Sequence, residues 1–244
     1  MTASLLPPRA TSVQELLQAA AQLFALSLLK CLPVTMIATL CAQLPNIYWM
    51  ASGHALTLMG EHDATFDALT LIGTTVELWL LAAMMLRQRA LAIGAPIRGS
   101  VELLAALRRL PLIMLHALLA LLSVTAGLLL LIVPGVYLAV CYLVLAPVVL
   151  FEQARPGVAL IRSVQLMRPL WWRALAALVI ATLLFLFGAF ICVAIIGVVA
   201  GVLAGNGPAF VAIQTATAVA FGALFLVFLT ALMLVLHSAA NSSA

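Results

Sequence analysis

Only 7% of the 244 residues are charged, seven acidic and eleven basic. A water-soluble domain carries charge on about a quarter of its residues, so this chain lacks the polar exterior such a domain needs. Hydrophobic residues make up 66% of it, and the mean hydropathy is +1.28. The chain also lacks a Walker-type phosphate loop and any Ser/His/Asp set on a hydrophilic segment. With no soluble basic domain to dock a duplex, no nucleic acid is expected as a partner. Cysteine is sparse: Cys31, Cys41, Cys141 and Cys192 lie in or beside apolar runs and read as small packing residues rather than disulfide partners.

What is present is a series of apolar runs, several of them of about 18 residues or more, long enough to cross roughly 30 Å of hydrocarbon as helices. The expected fold is an all-α polytopic membrane protein of six transmembrane helices, in three hairpins with interfacial amphipathic helices. The six spans fall at about Leu29–Gln43, Ala68–Leu86, Leu110–Val133, Val136–Phe151, Ala174–Ala204 and Phe210–His237. Turn chemistry at Pro134-Gly135 and at Gly205-Asn206-Gly207-Pro208 divides runs too long for one crossing. Residues 11–237 then form one membrane domain, 1–10 a proline-containing tail, and 238–244 a short C-terminal tail.

The basic residues give an orientation. Arg87, Arg89, Arg98, Arg108 and Arg109 fall between spans two and three, and Arg155, Arg162, Arg168 and Arg173 between spans four and five. Arg9 and Lys30 precede or open span one, whereas Leu44–Asp67, Pro134-Gly135 and Gly205–Ala209 carry no Lys or Arg. Short basic loops stay in the cytoplasm, which puts both termini inside. Tyr48 and Trp49 beyond span one, and Trp171 and Trp172 at the start of span five, suit the headgroup level. The N-terminus has no basic segment leading into a short apolar core and cleavage site, so no signal peptide is expected.

The chain reads as a unit of amphipathic helix plus hairpin used three times, the alternative being chance echoes within leucine-rich sequence. The first begins at Ser12-Val13-Gln14-Glu15, a capping box, with Leu16, Leu17, Ala20, Leu23 and Phe24 as its apolar stripe. The second begins at Ser100-Val101-Glu102 with Leu103, Leu104 and Leu107. The third begins near Pro156-Gly157 with Leu160, Val164, Met167 and Trp171. Helices of this kind lie in the headgroup plane with their Arg side chains reaching phosphates.

One stretch carries more specific detail. Leu128-Leu-Leu-Leu-Ile-Val-Pro-Gly-Val-Tyr-Leu-Ala-Val-Cys141 is followed by Pro147-Val-Val-Leu-Phe-Glu152, Ala159-Leu-Ile-Arg-Ser163 and Leu166-Met-Arg-Pro-Leu-Trp-Trp-Arg173. It resembles the membrane-domain family of glycerophosphoryl diester phosphodiesterase and related six-helix bacterial inner-membrane proteins, over about Gly127–Arg173. Cys141 and Gln153 depart from that pattern, and the soluble phosphodiesterase domain that gives the family its name has no counterpart here. The resemblance implies a fold and a bacterial inner-membrane location, not hydrolysis. Without it, Pro134-Gly135 reads as a tight outer turn, Pro147 as a kink in span four, Glu152 as a carboxylate reaching water, and Pro169 as a first-turn proline.

Glu77, near the middle of span two, is the leading site candidate, because a charge at that depth is costly. It reads either as a proton or cation site or as a hydrogen-bonded acid with a structural role, with His116 a candidate partner. His116 and His237 each read more simply as one interhelical hydrogen bond than as metal ligands. His54, Glu61, His62, Asp63 and Asp67 match no zinc spacing and read as a solvated loop. Gly197, Gly201 and Gly205 are spaced for close helix contact, within the chain or in a homo-oligomer, and internal packing is the expectation. Arg108, Arg109, Arg155, Arg162, Arg168 and Arg173 are the expected contacts for anionic lipid headgroups. No metal, cofactor or catalytic set is expected. The leading function is a non-enzymatic accessory or organising role in envelope or lipid homeostasis. A small transporter using Glu77 and an intramembrane lipid enzyme are the alternatives.

Overall fold

A computed structural model describes residues 12–52, 63–96, 99–152, 155, 157–204 and 208–242. Among them every regular element is helical: α1 (Val13–Ala51), α2 (Ala64–Ala92), α3 (Gly99–Leu130) and α4 (Ile132–Cys141) come first. A 3₁₀ turn (Tyr142–Val144), a single α turn α5 (Leu145–Pro147) and a π turn (Val148–Glu152) continue α4. α6 (Val158–Met167), a 3₁₀ turn (Arg168–Leu170), α7 (Trp171–Ala204) and α8 (Pro208–Asn241) complete the order. Six helical segments are long and apolar enough to cross a membrane, so the chain is an all-α, multi-pass membrane protein. The hairpins α1–α2, α3–α4 and α7–α8 pack pairwise, and α8 returns to lie along α1.

The centre is the seam of α1, α2 and α8. Lipid tails are as apolar as leucine, so membrane helices choose neighbours through small residues and hydrogen bonds rather than through hydrophobicity. Gly73 of α2 lies so close to α1 that a Cβ there would come 2.5 Å from the Cys41 carbonyl oxygen. The Gln88 amide donates to Ser27 Oγ at 3.2 Å and to the Val227 carbonyl at 2.9 Å, joining all three helices. Thr39 donates its hydroxyl to the Val219 carbonyl at 3.3 Å. The capping box forms as its spacing requires: the Glu15 amide donates to Ser12 Oγ at 3.2 Å. At the opposite end of α1, Tyr48 donates to Asp63 Oδ2 at 2.6 Å, while Asp63 Oδ1 caps the Phe66 amide at the start of α2. Asp63 therefore closes a hairpin, and His54, Glu61 and His62 lie outside the described residues.

Several expectations shift. The first two amphipathic segments are not separate interfacial helices but the opening turns of α1 and α3, which run on unbroken into the spans. No glycine or proline interrupts Val13–Lys30, and Pro111 is accommodated within α3. Only the third segment is a helix of its own, α6. The turn between spans three and four falls at the extended Leu131 rather than at Pro134-Gly135. Pro134 sits in the first turn of α4, where helix N–H groups lack intrahelical partners and a missing donor costs nothing. Gly135 is needed for proximity instead, since a Cβ there would strike the Leu128 backbone and side chain. α8 continues as helix through Ser238–Asn241. α7 runs continuously through Gly188, Gly197 and Gly201.

Candidate functional site

Span four is where backbone hydrogen bonding fails, and the polar groups of the basic end gather around it. Pro147 has no N–H to donate to the preceding turn, and the helix passes through 3₁₀, α and π geometry between Tyr142 and Glu152. The Leu145 amide bonds the Tyr142 carbonyl, one residue short of α-helical spacing. That leaves the Cys141 carbonyl for Ser163 of α6, whose buried hydroxyl donates to it at 2.6 Å. The Arg109 guanidinium donates to the Leu150 carbonyl near the end of the same span. A cation there complements the negative end of the helix. Trp171 Nε1 donates to the Tyr137 carbonyl at 3.2 Å, and the two rings stack with centroids 5.6 Å apart.

Glu152 ends the span and is shared. Its Oε2 accepts from Arg162 Nε at 3.3 Å and its Oε1 from His237 Nε2 at 3.0 Å. Asn241 reaches Oε1 at 3.5 Å, and Arg162 Nη2 donates to Asn241 Oδ1 at 3.2 Å. Arg89 lies over the Phe151 ring, 4.1 Å from its centroid. One carboxylate thus ties span four to α6 and to the last turns of α8. The motif residues singled out in the sequence meet one another here: Tyr137 with Trp171, Cys141 with Ser163, and Glu152 with Arg162. They form a clasp that closes a broken helix.

The candidate lipid contacts divide. Arg109 and Arg162 belong to the clasp. Arg108, Arg155, Arg168 and Arg173 are exposed and make no hydrogen bond or ion pair with any described residue. Two carboxylates of this end are engaged elsewhere, Glu152 in the clasp and Glu102 with Arg87 at 2.8 Å, and a third, Glu15, accepts from the Ser12 amide at 3.4 Å. These four exposed side chains form a rim of positive charge.

Glu77 and His116 are not joined. Glu77 is half-buried on α2 and makes no hydrogen bond or ion pair with the described residues. His116 is 1% exposed, and its Nδ1 lies 2.6 Å from the Leu112 carbonyl of its own helix. His237 makes the interhelical hydrogen bond expected of it, to Glu152 at 3.0 Å, whereas His116 bonds within its own helix. Gly197 packs against the Gln214 side chain of α8, whereas a Cβ on Gly201 would meet open space. Among the described residues no three metal-ligating side chains converge. Two features went unread in the sequence. Asn241 joins the clasp, and Lys30 and Arg87 line an open groove of about 710 Å³ with Leu91, Gly94 and Ala95. Compared with protein-family models, curated proteins and solved structures, the chain matches none.

Proposed function

We propose that this is a non-enzymatic protein of a bacterial inner membrane, with an accessory or organising role in envelope or lipid homeostasis. It would act by holding anionic lipid at its cytoplasmic face. The observation that carries the reading is the rim. Arg108, Arg155, Arg168 and Arg173 are exposed at the end of the bundle where the carboxylates Glu102 and Glu152 already have partners. Each Arg near an anionic leaflet contributes on the order of 1 kcal/mol, so four together hold headgroups appreciably. The segregation of all eleven Lys and Arg puts that face in the cytoplasm. The resemblance over Gly127–Arg173 agrees with such a membrane, and the clasp gives its motif residues an architectural task that needs no catalysis.

The test reconstitutes the full chain in nanodiscs of mixed phosphatidylglycerol and phosphatidylcholine and reads co-purifying lipid by native mass spectrometry. The expected result is enrichment of phosphatidylglycerol that falls as salt is raised. Lipid retained in the ratio supplied, at every salt concentration, refutes the reading. Orientation is tested by reporter fusions after Asn46, Gly94, Gln153 and Gly207, which should read out, in, in and out. A periplasmic reporter active at Gly94 reverses the face assigned to the rim.

A second reading rests on Glu77. A carboxyl at membrane depth without a partner among the described residues is what a proton or cation carrier, or a contact between copies, requires. Transport lost in a well-folded Glu77→Gln protein would favour a small transporter.

A further inference from the structure

Between α2, α3 and the broken fourth span lies a cavity of about 200 Å³, lined by Leu81, Ala82, Ala120, Val149, Tyr142 and His116 among others. Its walls are apolar apart from two side chains, the Tyr142 phenol and the His116 imidazole. His116 Nε2 is fully buried and has no hydrogen-bond partner among the described residues. A buried polar atom of this kind costs free energy unless something completes it. The chemistry of the completing group follows from the other ring nitrogen. The Leu112 carbonyl can only accept, so Nδ1, at 2.6 Å from it, carries a hydrogen. In the neutral imidazole with its hydrogen on Nδ1, Nε2 presents a lone pair. It therefore accepts, and its partner must donate.

We infer that this cavity binds the hydroxyl end of a neutral long-chain alcohol, with His116 Nε2 as the acceptor and the hydrocarbon against α2, α3 and the fourth span. Depth excludes a phospholipid headgroup. His116 lies seven residues along α3 from Arg109, on the order of 10 Å toward the centre of the bilayer. A phosphate is too costly to bring there, whereas a single hydroxyl is not. Carbonyl-bearing lipids such as esters offer Nε2 no donor. At about 200 Å³ the space is smaller than the roughly 300–1,000 Å³ of sites that enclose a whole ligand, so it takes the head and first carbons of a chain whose remainder lies in lipid. The inference does not rest on the arginine rim, and the two ligands differ in charge, so either can fail alone.

The test uses purified full-length protein and a diazirine-bearing long-chain alcohol, with dodecanol and dodecyl methyl ether as competitors. Photolabelling is expected on residues 78–85, 113–120 and 142–150, displaced by dodecanol and about fivefold less well by the ether, which matches the loss of one neutral hydrogen bond. His116→Leu should abolish the preference for the alcohol while leaving weak labelling. Ala117→Phe, which fills the cavity and keeps the histidine, should abolish labelling. ¹⁵N spectra of the imidazole should place the proton on Nδ1, with the Nε2 resonance moving when dodecanol is added. Equal competition by alcohol and ether, labelling elsewhere on the chain, or a proton on Nε2 would each overturn the assignment.

Discussion

The clasp around Glu152 and the rim of exposed arginines sit at the same end of the bundle and are built from the same residue type, yet they do opposite things. In the clasp, Arg109 and Arg162 give their hydrogen bonds to a carbonyl and a carboxylate within the chain. In the rim, Arg108, Arg155, Arg168 and Arg173 turn theirs outward. Adjacent Arg108 and Arg109 fall on different sides of that line because one helix position faces span four and the next does not. Which arginines turn inward is therefore decided by the acceptors the chain offers them, the Leu150 carbonyl for Arg109 and the Glu152 carboxylate for Arg162.

The comparison breaks most visibly at Glu152. Glu152→Ala strips Arg162, His237 and Asn241 of their shared acceptor, and thermal unfolding in detergent should report a loss of about 2 kcal/mol, discounted for partial exposure. Anionic lipid retention should stay as in the wild type, because the rim is untouched. Ser163→Ala comes next: it orphans the buried Cys141 carbonyl without changing any charge, and about 1.5 kcal/mol is expected by the same measurement. Trp171→Phe keeps the stack on Tyr137 and removes only the indole donor, for about 1 kcal/mol. Glu77→Gln should be the smallest, within about 0.5 kcal/mol, since Glu77 makes no bond within the described chain to lose. A large loss at Glu77 with none at Glu152 would reverse the assignment of polar residues to structure.

The sequence made legible what depends on neighbours along the chain. Six apolar segments, the Ser12–Glu15 cap and the Trp171 start of α7 are local signals, and the structure shows all of them. Two readings failed where a local signal has two physical meanings. Pro134-Gly135 is turn chemistry, but it is also good first-turn and close-packing chemistry, and α4 uses it in the second way. The amphipathic stripes at Leu16 and Leu103 mark a face without marking an end, and nothing after them stops the helix. The clasp was illegible for another reason. Glu152 meets partners 10, 85 and 89 residues away, and no periodicity connects them. The same limit hides burial. α7 and α8 are alike in hydropathy, yet α8 lies in the seam while Leu183, Phe187 and Phe190 of α7 face outward. Hydrocarbon and protein interior are equally apolar, so composition alone does not tell them apart.

The division of the arginines is tested most directly by measuring unfolding temperature and phosphatidylglycerol adducts together on two variants. One carries Arg108, Arg155, Arg168 and Arg173 changed to Gln; the other carries Arg109 and Arg162 changed to Gln. The rim variant should keep the wild-type unfolding temperature and lose most of its anionic lipid. The clasp variant should unfold at lower temperature and, while folded, keep its lipid. If both variants lose lipid and stability in the same proportion, the arginines form one undivided surface and the distinction between clasp and rim is wrong.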